Sequence, residues 1–277
     1  MWQHYEVTKQ KGFLEDVWPS VKKAMGFLVD FMDADTGLPG PSMDLWEERK
    51  GVHTYSCAAV WGGIFGSSLI ARYLGHDKEA LEWQELANSV KRAVIENLEN
   101  ALEIGFNRGI KMKVSEWEYQ CRIDGGDRGY CTVDNRGFRT FVIDQDKRVD
   151  ISMIGLVYPF KLYDDHHPHI KKLVESVRER LWSPKVGGIM RYAEDCYIGG
   201  NPWILTTLWL ALYYIESGEH SQAKGLVQWA VSHQTKLGLL PEQVDKETGE
   251  PAWVIPLTWS HAMYVLAINA LADRNQL

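Results

Sequence analysis

Residues 55–74 read YSCAAVWGGIFGSSLIARYL, and residues 77–98, just past a Gly75-His76 break, read DKEALEWQELANSVKRAVIENL. In the first stretch Ala58, Val60, Trp61, Ile64, Phe65, Leu69 and Ile70 leave no polar stripe. A helix of that kind is buried all round, and its glycines suit close approach of a neighbour. The second stretch gathers Leu81, Trp83, Leu86, Val90 and Val94 on one side and charge on the other. That spacing predicts a helix with one wet face, with Asp77 placed to cap it. An apolar helix followed by an amphipathic one is a unit, and the unit predicts two layers of helices.

The unit recurs along the chain. Residues 150–160 are apolar and precede an amphipathic 170–181; residues 202–215 are apolar and precede 221–231; residues 256–271 form one more apolar helix. Pro202 and Pro256 fall where first helical turns are expected, the position that tolerates proline. Upstream, Phe13, Val17, Val21, Ala24, Leu28 and Phe31 mark an amphipathic helix over residues 12–32. This gives eight helices in a single all-α domain, inner helices packed together and outer ones covering them. The exception is residues 105–147, rich in Gly and charge, with β character at 110–114 and 138–143. They read as a long excursion with a short hairpin.

The 277 residues are 45% hydrophobic and 24% charged, an ordinary globular balance. A net charge of −7 speaks against a nucleic-acid partner, which needs clustered Lys and Arg. No uninterrupted apolar run approaches membrane-spanning length and no charged-then-apolar leader opens the sequence, so neither a membrane partner nor export is expected, and the expected location is cytoplasmic. The four cysteines show no CxxC spacing, which excludes the common zinc patterns, and Cys57 reads as a small core hydrophobe. His166, His167 and His169 beside Asp164 and Asp165 read as a polar helix entry rather than a metal site, and His261 as a satisfied interior histidine. There is no GxSxG elbow and no glycine-rich phosphate loop, and no metal or cofactor is expected.

In a two-layer helical barrel the loops leading into inner helices share one face. Residues 33–54 carry Trp46, Glu47 and Glu48 after the turn Gly37-Leu38-Pro39-Gly40-Pro41; residues 182–201 carry Arg191, Glu194 and Asp195; residues 236–255 carry Glu242 and Asp245. Trp46, Tyr192, Trp203 and Trp259 would bring aromatic surface to the same mouth. Two carboxyls across a cleft suit glycosidic cleavage: one protonates the leaving oxygen, the other is ionised as nucleophile or as base on water. An indole beside the acid helps to keep it protonated by desolvation. A non-catalytic glycan-binding or structural helical module would use the same tryptophans without needing both acids.

Three stretches, Asp44-Leu45-Trp46-Glu47-Glu48-Arg49, then Arg191-Tyr192 through Gly199-Gly200-Asn201-Pro202-Trp203, then Leu240-Pro241-Glu242-Gln243 with Pro256-Leu257-Thr258-Trp259-Ser260-His261, resemble the glucoamylase family, glycoside hydrolase family 15. The likeness runs over essentially the whole sequence. It implies an (α/α)6 toroid-type barrel of six helix hairpins, and inverting, exo-acting release of glucose from α-glucans or oligosaccharides without a cofactor. By the resemblance Glu47 is the general acid and Glu242 the general base, with carboxyls about 6.5–9.5 Å apart to admit a water. Glu48 and Arg191 match residues that hold the sugar on the leaving-group side. Trp46, Glu194, Asp195 and Trp259 match residues that shape the pocket, and Asp44 and Trp203 lie inside the matching stretches as further substrate-binding candidates. Trehalases and dextran-cleaving relatives are the alternatives within the family. Family barrels have twelve helices against the eight expected here, and nothing matches the Arg-Asp pair of the innermost subsite. An incomplete barrel with an open apolar edge, self-association and weak activity are therefore expected.

Overall fold

The computed structural model describes residues 1–276. Its helices are α1 (Trp2–Thr8), α2 (Lys11–Asp30), α3 (Thr54–Leu74), α4 (Asp77–Leu98), α5 (Glu116–Asp124), α6 (Pro168–Leu181), α7 (Ile204–Glu216), α8 (His220–Ser232) and α9 (Thr258–Ala272). The strands are β1 (Ser42–Met43), β2 (Lys50–His53), β3 (Glu99–Asn100), β4 (Gly105–Phe106), β5 (Gly109–Val114), β6 (Gly129–Val133), β7 (Arg139–Asp146), β8 (Gln243–Val244) and β9 (Pro251–Ala252). The chain forms two compact units, Met1–Glu99 with Asn107–Asp146, and Asn100–Phe106 with the chain from Lys147 onward.

In the first unit α2 and α4 both pack on α3. The α3–α4 hairpin turns at Gly75, whose φ of 83° is the left-handed conformation that glycine adopts without Cβ strain. Asp77 does not cap α4: it lies in the first helical turn, and His76 holds the N-cap position without a side-chain hydrogen bond. An acid one position inside still favours the positive end of the helix dipole. The sequence pattern missed α1, which buries Tyr5 against Tyr73 at 4.6 Å between ring centroids. By length and composition α3 is apolar enough to cross a membrane, the one such helix among the described residues. Interspersed Gly and Ser break its apolar run, which hid it from the sequence criterion. Here it buries Cys57, Ala58, Trp61 and Ile64, and burial pushes the Cys57 thiol up to about 12.

The excursion is more than a hairpin. Residues β5 to β7 join β2 and β1 in a five-stranded antiparallel sheet of order β1-β2-β5-β7-β6, with Val52 opposite Ile110, Met112 opposite Ile143 and Cys131 opposite Phe141. Strand β6 escaped notice because nearly all of it is exposed, leaving no alternation of buried and wet side chains to read.

In the second unit α7 is the innermost element: every residue from Ile204 to Ile215 is buried. It packs on α8, on α9 and on a single 3-10 stretch, Ile151–Leu156, which replaces the α-helix expected over 150–160. The Asp150 carboxylate accepts from the Ser152 amide at 2.8 Å, and Pro159 bars helical continuation, so only a short tight turn forms. Pro202 and Pro256 both lie outside the helices they were expected to open. The Pro202 carbonyl accepts from the Val244 amide at 2.9 Å, so that residue belongs to a strand-like pairing rather than to a first helical turn. Helix α9, equally apolar, buries only Ser260, Met263, Ala267 and Leu271, and leaves Val265 and Leu266 about half exposed.

Candidate active site

The loop Asp44-Leu45-Trp46-Glu47-Glu48-Arg49 lies in the first unit and is organised by its own first residue. Asp44 is buried, and its Oδ1 accepts from the backbone amides of Glu48 (2.8 Å) and Arg49 (3.2 Å). Its backbone closes the turn in both directions, Asp44 N–H to the Arg49 carbonyl at 2.9 Å and the Glu47 N–H to the Asp44 carbonyl at 3.1 Å. His53 donates from Nε2 to the same Arg49 carbonyl at 3.0 Å. Burial holds the His53 pKa below its ordinary value against the opposing pull of the Asp44 charge, so the ring is neutral at pH 7. Within this frame Trp46 is buried, while Glu47 and Glu48 are exposed. Glu47 has φ 59°, a left-handed conformation that a non-glycine residue keeps only where its surroundings enforce it. Glu48 pairs with Arg49 at 3.4 Å across the surface of the loop.

The other two candidate loops lie in the second unit, and the structure does bring them together. Ile189, Trp203 and Gln243 pair side by side as isolated antiparallel bridges, closed by Trp203 N–H to the Ile189 carbonyl (3.0 Å) and Ile204 N–H to the Glu242 carbonyl (3.1 Å). Arg191 and Glu242 follow from that pairing, one just after Ile189 and one just before Gln243. Arg191 is 3% exposed and grips Asp195 twice, Nε to Oδ2 at 2.8 Å and Nη2 to Oδ1 at 2.7 Å. The rings of Tyr192, Tyr197 and Trp203 stand 5.1, 4.8 and 5.1 Å from the guanidinium carbon. This cation is immobilised on all sides. Asp195 has a fully buried carboxylate and spends it on Arg191 and the Tyr197 amide, so it acts on Arg191. Gly200 makes the return possible: at φ 69° its Cα comes so close to the Asp195 carbonyl that any Cβ would collide with it.

Glu242 is buried, and that burial raises its pKa above the ordinary glutamate value, countered by a hydrogen bond from Gln243 and by the Arg191 charge. The polarity of the hydrogen bond is fixed by a relay. The Lys246 backbone N–H can only donate, so it selects Oδ1 of Asn201 (3.1 Å); Nδ2 of Asn201 then donates to Oε1 of Gln243 (3.1 Å). Gln243 is left with Nε2 toward Glu242 Oε2, at 3.1 Å. A buried carboxylate met by one oriented amide and lying in the field of a fixed cation is suited to accept a proton from water. The relay members Asn201 and Gln243 sit within the matching stretches, yet nothing in residue type alone announced their roles.

The remaining candidates are placed plainly. Glu194 is exposed with φ 70°, Trp203 is buried at the start of α7, and Trp259 is partly exposed in the first turn of α9. Asp245 caps the turn to Gly249 through the Thr248 and Glu247 amides, which hold its pKa below the usual range. His261 accepts from the Leu240 N–H at 3.3 Å and His167 caps α6, as the sequence suggested.

Comparison with known proteins decides the family. The sequence pattern described as Glycosyl hydrolases family 15 matches residues 4–224 and 215–269. The chain belongs to this family. An uncharacterized glycosyl hydrolase of Methanocaldococcus jannaschii is 30% identical over 96% of this chain and 39% of its own length. Trehalase 2 of Sulfolobus acidocaldarius is 25% identical over 97% of this chain and 40% of its own length. The chain thus spans about two fifths of the length of these curated relatives. A bacterial glucoamylase solved in complex with acarbose superposes with a TM-score of 0.70 at 24% identity, over 94% of this chain and 38% of that one. The fold is accordingly of the (α/α)6 barrel type with small sheets added.

Proposed function

We propose that this protein cleaves an α-linked glucosidic bond with inversion, Glu242 acting as general base and Glu47 as general acid. The observation that carries the proposal is the setting of Glu242: a buried carboxylate, one amide donor of fixed polarity, and a cation caged by three aromatic rings. In the proposed reaction a water gives its proton to Glu242 as its oxygen bonds to the anomeric carbon. The glycosidic bond breaks with its electrons on the leaving oxygen, which takes the proton of Glu47. Glu48 and Arg191 hold the sugar on the leaving-group side, while Trp46, Trp203, Trp259 and Glu194 supply pocket surface; Asp44 and Asp195 serve by holding Glu48 and Arg191.

The substrate of the leading proposal is an α-glucan or oligosaccharide from whose non-reducing end glucose is released, in keeping with the glucoamylase fold neighbours. Trehalose is the second reading, favoured by trehalases of Sulfolobus acidocaldarius that align over 97% of this chain. Incubation with maltotriose, isomaltose and trehalose, followed by proton NMR of the first sugar released, separates them. Early β-glucose from a maltooligosaccharide supports the leading proposal. Turnover of trehalose alone, with α- and β-glucose first released in equal amounts, supports the second. The appearance of α-glucose as the first glucose from a maltooligosaccharide, or of α-glucose alone from trehalose, contradicts inversion. Self-association through the uncharged, half-exposed flank of α9 belongs to the same proposal. Sedimentation of the Leu266→Lys variant tests it: a concentration-dependent mass that persists unchanged removes that flank from consideration.

A further inference from the structure

The charged excursion yielded no site in the sequence, yet it places a buried ionic chain behind the candidate acid loop. Arg108, 3% exposed, puts Nη2 at 3.3 Å from Asp44 Oδ2 and Nε at 3.9 Å from Oδ2 of Asp146. Asp146 is fully buried, and Arg122 Nη1 stands 3.6 Å from its Oδ1. Arg122 continues outward to Asp127 at 2.7 Å. Buried charges persist only when paired, and here Arg108 lies between two carboxylates and Arg122 among those of Glu118, Asp127 and Asp146.

The sheet sets this geometry. Arg108 immediately precedes β5, and Asp146 ends β7 opposite Gly109. The Arg108 N–H bonds the Asp146 carbonyl at 2.7 Å, and the Arg108 carbonyl accepts from the Thr54 N–H at 3.0 Å, where β2 passes into α3. The guanidinium therefore stands on three fixed elements. Its partner Asp44 uses its other oxygen to hold the Glu48 and Arg49 amides.

We infer that Arg108 and Asp146 are positioning residues: through Asp44 they transfer the rigidity of the β2–β5–β7 sheet to the Asp44–Arg49 turn and keep Glu47 in its left-handed conformation. The role of Glu47 rests on the function proposed above; the clamp itself does not. Without Arg108, Asp44 keeps its carboxylate but loses the anchor that aims it, and the turn is free to relax.

Hydrogen exchange read by mass spectrometry tests the clamp on the full chain without recourse to catalysis. Arg108→Met and Asp146→Asn should speed exchange of the Glu48 and Arg49 amides about tenfold, while α3 and α4 stay within about twofold of the parent. Arg108→Lys keeps the charge without the fork, should fall between, and serves if Arg108→Met does not fold. Unchanged exchange at 44–49 in a folded variant overturns the inference. So does acceleration spread equally over 44–49, α3 and α4, which marks a merely structural ion cluster. Hydrolysis then separates the two claims. If Arg108→Lys slows glucosides with poor leaving groups more than activated ones, the clamp acts through Glu47. Fast local exchange without that bias keeps the clamp and removes Glu47 as the acid.

Discussion

The two glutamates assigned to catalysis are held in opposite ways. Glu47 is exposed, on a turn organised by a side chain, in a backbone conformation that its residue type disfavours. Glu242 is buried, on a segment stitched by backbone pairing to Trp203 and Ile189, with its carboxylate met by an oriented amide. The difference can be set against the two roles proposed for them. Glu47 is exposed beside buried Trp46, so the desolvation expected of the indole is not found there; as the proposed donor it faces a leaving group that comes and goes with the substrate. A base that orders one water gains from burial and from fixed neighbours. Strain lies in the backbone at Glu47 and in desolvation at Glu242.

Breaking the second arrangement should have the largest effect on stability. Arg191→Met strands the buried Asp195 carboxylate and removes the cation that lowers the Glu242 pKa. Loss of one partner of a buried pair costs about 3–5 kcal/mol, to be read from the urea midpoint at pH 7. The acid limb of kcat/KM should also move up, because Glu242, as the proposed base, would have to be ionised. A smaller loss is expected at the first loop. Asp44→Ala removes the acceptor for the Glu48 and Arg49 amides, a charge-assisted cap worth about 1.5–3 kcal/mol, and takes from buried Arg108 one of its two carboxylates while leaving it Asp146. Unfolding that shifts by less than a few tenths would show the turn to be held by its backbone alone.

The pH dependence sharpens the contrast. Burial raises the Glu242 pKa in the folded state, so as pH rises the unfolded chain ionises first, near the ordinary value of 4.5. Stability is lost from there up to the folded pKa and is constant beyond it. Glu242→Gln should therefore match the parent below pH 4.5 and unfold at a higher temperature at pH 7. A gap of the same size at both pH values would contradict the burial argument. The smallest effect belongs to Glu47. Asn tolerates the left-handed region, so Glu47→Asn should stabilise the protein by about 1 kcal/mol while impairing proton donation. A loss of stability would mean that Glu47 makes favourable contacts outweighing the strain.

Periodicity made the helical layers legible, because a helix apolar on all faces beside an amphipathic one has few other solutions. It located α3, α4, α7 and α8 to within a residue or two at most ends. It failed over 150–160, where composition was right but Asp150 and Pro159 imposed a tight turn. The sheet was half visible: β5 and β7 carry buried alternation, whereas exposed β6 and short β1 do not. The motifs marked Arg191 and Glu242, but not that Asp195 serves Arg191 or that Asn201 polarises Gln243. Such roles depend on which atom faces which, and residue order carries no trace of that. Arg108 and Asp146 lay furthest from view, because a buried ion chain looks in sequence like any charged loop.

The assignment of the two acids is tested most directly by leaving-group dependence. Hydrolysis of an activated aryl glucoside and of an unactivated disaccharide should be compared for the parent, Glu47→Gln and Glu242→Gln. Glu47→Gln should slow the disaccharide by about 100- to 10,000-fold and spare most of the rate on the activated substrate, which needs little proton donation. Glu242→Gln should slow both alike, since water must be activated in either case. Equal responses of the two variants to leaving-group quality, or the pattern reversed between them, would contradict the account.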